Sequence, residues 1–419
     1  MFVNRRGALK TIGFVAPCLG LNYIIESNAS AEPRRRDLNE VAKAPSVGVG
    51  ATGKIMCIGA SGRRHPVALS KGNVDAVLTE FDLATTNVRQ VLIPMSHAHA
   101  VLDAHSFGYI CTSFDGDSFV MIDAGLGKQT LYRAPVGYKY AGHGVILDQK
   151  KVCLLALKKE KAISEKDFGI LQAIDLATGK VLSEIASEGV GPHDMALMPD
   201  GKIAVSHYGD LDRYDSPEKS IPRLTIVDSI SFKVQNVIDS PRFGSLTHIS
   251  ISKDGLLCGL PVRVLPWESG SYNYIKSALG NRDFDVSLAE ENEKKLGMPG
   301  PILTLAPNET AFRSHIGEDI KQRRPQSIAY DQDSHAFFIT FPYASTVARF
   351  DIASNTFMYR GAFELGLTTP RGVASIGPSL VAISDQEQGL VLLDGRTMSV
   401  KARYRISLYD ATHISHVPR

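Results

Sequence analysis

The sequence predicts an all-β protein, a seven-bladed β-propeller whose ring is closed by the C-terminal strand. A unit of four short strands recurs about every 40 to 55 residues, occurs seven times, and lacks helical periodicity. Two stacked β-sandwiches, the competing all-β architecture, do not explain one unit that repeats seven times. The chain has 419 residues, 44% of them apolar, so it can bury a large core.

The repeated unit is clearest in its second strand, which is short and strongly apolar. Its seven copies read KIMCIGAS, GYICTSF, KVCLLAL, KIAVSHY, LLCGLPV, AFFITFP and LVAISDQ. The third strand of six copies ends in an aspartate before a turn, and these residues are Asp82, Asp123, Asp175, Asp228, Asp351 and Asp394. The fifth copy has Ala306 instead. These markers allow the first strand of each following copy to be located by spacing.

A polar residue opens the first strand of each following copy, 17 to 20 residues after the marker. Six such residues are His99, His143, His193, His248, Gln326 and Arg371. The same step from Asp394 reaches His413 near the C-terminus, so the last strand is predicted to be the innermost strand of the first blade. Residues 53–95 would supply its other strands, which removes an open sheet edge. Ser46 is the alternative for the position of His413.

Residues 1–31 are predicted to form a twin-arginine-type signal peptide that directs the protein to the periplasm. The paired Arg5-Arg6 precedes a mostly apolar stretch and then Ala29-Ser30-Ala31, a small-residue cleavage pattern. The usual phenylalanine of such signals is replaced by Ala8. An uncleaved anchor or a buried helix is the alternative, although the stretch is short for a bilayer span.

The remaining chain is divided into an N-terminal segment, 32–52, and a single propeller, 53–419, with an insertion at 263–299. Removing residues 1–31 leaves 43 basic and 43 acidic residues. This balance gives no electrostatic reason to expect nucleic acid or an anionic membrane as partner, and no integral span is predicted in the mature chain. Second strands of different copies carry Cys57, Cys111, Cys153 and Cys258, which are therefore expected to be buried free thiols.

Histidine occupies five of the seven first-strand positions, and first strands line the central channel of a propeller. Imidazoles from separate blades can converge there on iron or copper, so the predicted metal ligands are His99, His143, His193, His248 and His413. Alternatively, each histidine bonds backbone groups or channel water. The predicted ligand-binding residues on the same face are Gln326, Arg371, His207, Tyr208 and Trp267. Arg371 suggests an anion, and the insertion with Trp267 is expected to be a lid or a surface decoration.

Several of these segments resemble the DUF1513 family of exported bacterial propeller proteins. The resemblance is carried by Tyr140-Ala141-Gly142-His143, by Gly189 to His193 followed by Met198-Pro199-Asp200-Gly201, and by the C-terminal strand with His413. It implies a role near periplasmic iron-uptake proteins and singles out the same five histidines. The chain departs from the family pattern at Thr247-His248, usually Arg-His, and at His207-Tyr208-Gly209, usually Asn-Gly-Gly.

Three functions follow as hypotheses. The first is a periplasmic propeller that binds a transition metal, iron or copper, or a metal complex in a His-lined axial funnel during iron acquisition. The second is a metal-dependent redox enzyme with axial histidine ligands, by analogy with other propellers. The third is a non-catalytic scaffold that binds other proteins. Removal of the channel histidines would abolish metal binding in the first two cases only.

Overall fold

The computed structural model describes residues 51–60, 76–209, 222–241, 245–262, 301–317, 324–386, 389–409 and 411–418. All of them lie in the compact unit of residues 40–419. The predicted signal peptide, Ser46, the insertion 263–299 and Trp267 lie outside the described residues, as does most of the segment 32–52. No helix among the described residues is long and apolar enough to cross a membrane.

The first sheet joins the two ends of the unit. Its strands are β1 (Lys54–Ala60), β2 (Ala76–Asp82), β3 (Val88–Ile93) and β28 (Ile414–Val417), in the order β28-β1-β2-β3. The last strand is antiparallel to β1, with Cys57 opposite Ile414 and Lys54 opposite Val417. The predicted closure of the ring by the C-terminal strand is confirmed.

An eight-stranded sheet follows, made of two four-stranded meanders. The first meander contains β4 (Ala98–Asp103), β5 (Tyr109–Gly116), β6 (Ser118–Ile122) and β7 (Gln129–Arg133). The second contains β8 (Tyr138–Leu147), β9 (Val152–Lys159), β10 (Ile170–Asp175) and β11 (Val181–Ala186). The meanders form one sheet because β5 also pairs with β8, through Phe114 opposite Ala141 and Gly116 opposite Tyr140.

Four further four-stranded sheets complete the described fold. The first two are β12 (Pro192–Leu197), β13 (Lys202–His207), β14 (Arg223–Asp228) and β15 (Val234–Asp239), then β16 (Ser245–Ile251), β17 (Leu257–Val262), β18 (Ile302–Leu305) and β19 (Arg313–His315). The last two are β20 (Ser327–Asp331), β21 (Ala336–Phe341), β22 (Thr346–Asp351) and β23 (Thr356–Gly361), then β24 (Pro370–Gly377), β25 (Leu380–Asp385), β26 (Gly389–Asp394) and β27 (Val400–Tyr404). A short helix, α1 (Ala362–Leu365), links β23 to β24.

The first strands of these units contact one another in a closed cycle. The order is β28, β4, β8, β12, β16, β20, β24 and back to β28. Sheets that radiate from such a cycle make a β-propeller, so the predicted all-β class and propeller architecture are confirmed. The residues that open these strands are therefore brought toward one axis.

The core lies between neighbouring sheets and is richest around the second strands. All six residues of β21 are buried, and so are the first six of β9. Continuous apolar runs suit a strand that is covered on both faces. The thiols of Cys57, Cys111, Cys153 and Cys258 are buried and free, as predicted.

The repeated aspartates close the turn after the third strand. In one example, Oδ1 of Asp175 accepts hydrogen bonds from the backbone N–H and the hydroxyl of Thr178. The same arrangement recurs between Asp228 and Ser231, Asp351 and Ser354, and Asp394 and Thr397. In the copy without aspartate, the Glu309 carboxylate accepts from the Ala306 N–H instead. The marker is thus a structural Asx turn.

Candidate metal centre

The first strands are irregular at the positions where the histidines stand. Register shifts interrupt the pairing between Ala98 and Ala100, Tyr140 and Gly144, Pro192 and Met195, Leu246 and Ile249, and Pro370 and Val373. Four of these irregularities contain one of the predicted histidine ligands, and the fifth contains Arg371. A β-bulge breaks the alternation of side chains and re-aims the residue that it carries. The bulges therefore set the directions in which these four histidines and Arg371 point.

Hydroxyl groups on second strands fix two of these bulges from the preceding four-stranded unit. Thr112 donates to the Gly142 carbonyl, just before His143. Ser206 likewise donates to the Thr247 carbonyl, just before His248. Each bond joins the second strand of one four-stranded unit to the first strand of the next. The position of the histidine therefore depends on how neighbouring units pack.

The five predicted histidine ligands form one compact cluster. The ring centroid of His413 lies 4.5 Å from that of His99 and 4.6 Å from those of His143 and His248. The ring of His193 lies 5.0 Å from His143 and 4.8 Å from His248. Side chains separated by more than 300 residues in sequence are therefore within contact distance of one another.

Two overlapping triads of ring nitrogens are close enough to share a metal ion. They are His99 with His143 and His413, and His143 with His193 and His248, and in each the ligand atoms lie within 4.8 Å of one another. The Nε2 atoms of His99 and His143 are 3.0 Å apart. His143 belongs to both triads and stands at the centre of the donor set.

One ring in the cluster is oriented for coordination by a backbone contact. Nδ1 of His193 donates to the Ala141 carbonyl. A neutral imidazole that donates through Nδ1 carries its lone pair on Nε2. This Nε2 atom is buried and meets no hydrogen-bond partner among the described residues. Nε2 of His413 is also buried without a partner there. An orphaned lone pair such as that of His193 fits a bound cation.

Asp194 lies behind the cluster and was not identified from the sequence. Its two carboxylate oxygens lie 3.6 Å from Nδ1 of His143 and 3.6 Å from Nδ1 of His248. The backbone N–H of Ile249 also donates to this carboxylate, over 3.0 Å. A carboxylate that interacts with the Nδ1 atoms of metal-binding imidazoles orients the rings, so that their Nε2 atoms face the ion. Asp194 directly follows His193, and that adjacency was the available sequence signal.

The electrostatics keep four of the five histidines, His99, His143, His193 and His413, neutral near pH 7. Burial lowers the pKa of His143 to about 4, with Asp194 opposing and His248 adding to this effect. Burial and the neighbouring histidines hold the pKa values of His99, His193 and His413 well below the usual range. Burial would raise the pKa of Asp194, but His143, His248 and the Ile249 N–H outweigh it and lower that pKa. Neutral imidazoles and one carboxylate are the protonation states that metal binding requires.

Gly142 explains part of the Tyr140 to His143 motif. Its φ is +114°, and a Cβ atom there would lie 2.7 Å from the His99 ring and 2.8 Å from the His193 ring. No side chain fits without displacing both imidazoles. Glycine is therefore required for the close approach of backbone and ligands.

Two aromatic side chains pack against the cluster. The Phe114 ring lies 5.4 Å from His99 and 5.2 Å from His193, and Tyr208 lies 4.7 Å from His193. The Lys158 ammonium lies 4.9 Å from the centroid of Phe114. Apolar rings beside a donor set limit access of water to it. The structure thus places Tyr208 against the cluster.

Of the other sequence-predicted residues that the structure describes, none belongs to either triad. Arg371 donates to Gln326, so these two form a polar group of their own. His207 is buried, donates through Nδ1 to the Arg223 carbonyl over 3.3 Å, and belongs to neither triad; burial lowers its pKa to about 3. His97, two residues before His99, is exposed.

The donor set is chemically specific. Imidazole nitrogens without thiolate suit iron, copper or zinc, whereas hard cations such as magnesium and calcium prefer oxygen ligands. The buried ring nitrogens that have no partner among the described residues give this group a good fit to such an ion.

Known proteins share the fold of this chain but give no information on its histidine cluster. No protein-family model and no curated protein matches the sequence. Among solved structures, a chain of Kuenenia stuttgartiensis hydrazine synthase is similar, with a TM-score of 0.54 and 11% sequence identity. The match covers 77% of this chain and 90% of that chain. At this identity the similarity concerns the propeller fold alone.

Proposed function

We propose that this protein binds one transition-metal ion, iron or copper, in the funnel where its first strands converge. One observation carries the proposal: five histidines, three buried and two half-buried, meet in one cluster, and two of the buried ones have Nε2 atoms without a partner among the described residues. Leaving a buried polar atom unpaired costs about 1–3 kcal/mol, so a cluster of them is unfavourable unless a ligand satisfies them. A metal ion satisfies several imidazole lone pairs together.

The same proposal includes seven blades. The cyclic contacts of seven first strands support this count, as does the division of the eight-stranded sheet into two meanders with separate first strands, β4 and β8. Each meander then counts as one blade. The five histidines would occupy five consecutive blades, with Gln326 and Arg371 at the remaining two.

We further propose that the protein is exported to the periplasm and takes part in iron acquisition. The paired Arg5-Arg6 and the small residues near position 30 support export. The resemblance of the GxGPH and MPDG segments to the DUF1513 family supports membership of that family and a place beside periplasmic iron-uptake proteins. Folding before export would allow the ion to be inserted into a completed funnel.

Metal titration of the purified protein tests the proposal. Metal-free protein, without a histidine tag, is titrated by calorimetry with Fe(II) under argon, with Cu(II) and with Zn(II). The expected result is one tight site per chain that is lost in the His193→Ala/His248→Ala variant. The matched control, His97→Ala/His335→Ala, removes two exposed histidines outside the triads and is expected to bind normally. Equal binding by both variants would contradict the proposal.

Activity of the loaded protein separates two kinds of function. Oxygen consumption that needs the bound ion and a reductant would indicate a redox enzyme with axial histidine ligands. A loaded protein that binds and releases the ion without turnover would be a carrier. The His193→Ala/His248→Ala variant is the control in both assays, because it removes ligands without altering the outer strands.

A further inference from the structure

Arg371 stands at the first-strand register beside two glutamines. Its guanidinium donates to Oε1 of Gln326 over 2.9 Å and to Oε1 of Gln386 over 2.6 Å. Among the described residues, no carboxylate forms an ion pair with it. Its Nε atom is buried and also lacks a partner there. A half-buried guanidinium with an unused donor is an incomplete site for an anion.

The two glutamines add further donors to this group. Because the amide oxygens accept from Arg371, the amide nitrogens of Gln326 and Gln386 are oriented as further donors, and no described residue accepts from them. Arg371 keeps three of its five N–H groups beyond these two bonds. A set of donors without a matching acceptor favours a negatively charged ligand.

This group adjoins the histidine cluster through the backbone. A Cβ atom at Gly372 would lie 2.9 Å from Cα of His413 and 2.6 Å from the N atom of Ile414. In the segment that Gly372 approaches, Thr412 Oγ1 and His413 Nε2 are buried and lack partners among the described residues. Unsatisfied groups of the two sites therefore occur on adjacent segments of chain.

We propose that Arg371, Gln326 and Gln386 bind the carboxylate group of a small organic acid that accompanies the metal ion. One guanidinium balances one negative charge, and its planar fork matches the two oxygens of a carboxylate. A phosphate dianion would exceed the charge that this group offers. The link to the metal rests on the proposed function, whereas carboxylate binding to Arg371 does not.

Anion binding to the metal-free protein tests this inference. Calorimetric titrations with acetate and inorganic phosphate are made on the wild type and on Arg371→Gln and Arg371→Lys. Acetate is expected to bind more tightly than phosphate, and Arg371→Gln to weaken acetate binding at least tenfold. Arg371→Lys keeps the charge but loses the fork, so an intermediate loss is expected. The control is Arg360→Gln, which removes an arginine of β23 that is already paired with Glu364. This variant should bind acetate as the wild type does.

A second variant keeps the test valid if Arg371→Gln does not fold. Gln386→Glu places a carboxylate beside Arg371, so it should abolish acetate binding and raise the melting temperature. Equal affinity for acetate in the wild type and either Arg371→Gln or Gln386→Glu would overturn the inference, as would tighter binding of phosphate than of carboxylates.

Failure of the proposed metal site can be distinguished from failure of the proposed carboxylate site. The His193→Ala/His248→Ala variant should lose metal but still bind acetate through Arg371. Acetate binding in a wild type that takes up no metal would therefore support the carboxylate site and contradict only the proposed function. In loaded wild type, acetate should slow release of the ion, and this effect should disappear in Arg371→Gln.

Discussion

The Nε2 atoms of His99 and His143 lie 3.0 Å apart. Two nitrogen ligands at about 2.0–2.1 Å from one ion are separated by about 3 Å when they occupy neighbouring coordination positions. His143 also belongs to the second triad, with His193 and His248. These relationships give His143 the largest predicted contribution to metal binding.

Replacing His143 by alanine should therefore abolish binding. We expect at least a hundredfold loss of metal affinity, because both triads lose a member. His97→Ala, at an exposed position just before β4, is the control. Calorimetry with the two variants checks the prediction, and it is wrong if both bind metal with the affinity of the wild type.

Asp194→Asn should weaken binding without removing a direct ligand. The amide keeps the size of the carboxylate but loses the charge near Nδ1 of His143 and His248, and loss of such an outer carboxylate costs about 10–100-fold in affinity. The visible spectrum of the Co(II)-loaded variant should also shift, since ring orientation changes. Asp200→Asn, in the exposed turn after β12, should change neither quantity. An unaltered affinity and spectrum in Asp194→Asn would rule out the positioning role.

Gly142→Ala should damage the site through crowding. The added Cβ would contact the His99 and His193 rings, and alanine is strained at a φ of +114°. We expect a loss of metal affinity together with a lower melting temperature. Gly201→Ala is a matched control, because its φ is +82° but a Cβ there meets no atom within 4 Å. It should lower the melting temperature only; equal metal affinity in the two variants would contradict the crowding argument.

The metal-free protein should lose stability as the pH falls below about 7. His143 has a pKa of about 4 when folded and about 6.5 when unfolded, so the unfolded state binds more protons between these values. Its contribution is present above about pH 6.5 and is lost as the pH approaches 4, a change of about 3 kcal/mol. The lowered pKa values of His99, His193 and His413 act in the same direction.

Denaturant titrations at several pH values between 7.5 and 4.5 measure this dependence. His143→Gln should flatten the dependence of the free energy of unfolding on pH, because a glutamine side chain does not titrate. A free energy of unfolding that stays constant over this range in the wild type would contradict the assigned burial of the cluster.

Much of the fold was predictable because its signals are local and repeat. The aspartates that end third strands recur because each accepts hydrogen bonds within its own turn, as Asp394 does from Thr397. Their constant spacing led to His413 and hence to the closing strand. The five histidines were identified from the same spacing, and the structure brings all five together.

The site residues that the sequence did not reveal, Asp194 and Gln386, depend on contacts that a strand pattern does not encode. In a regular strand, Asp194 would point away from the face of His193. The bulge between Pro192 and Met195 breaks that alternation, so both side chains reach the cluster. Gln386 was missed for a similar reason, because it follows a second strand and meets Arg371 only through the packing of the blade.

Elemental analysis of the purified protein, expressed without a histidine tag, is the measurement to make first. We expect near-stoichiometric iron or copper in the wild type and its loss from the His193→Ala/His248→Ala variant. A wild type that is folded, stable and free of metal, even after incubation with Fe(II) and Cu(II), would contradict the proposed metal site.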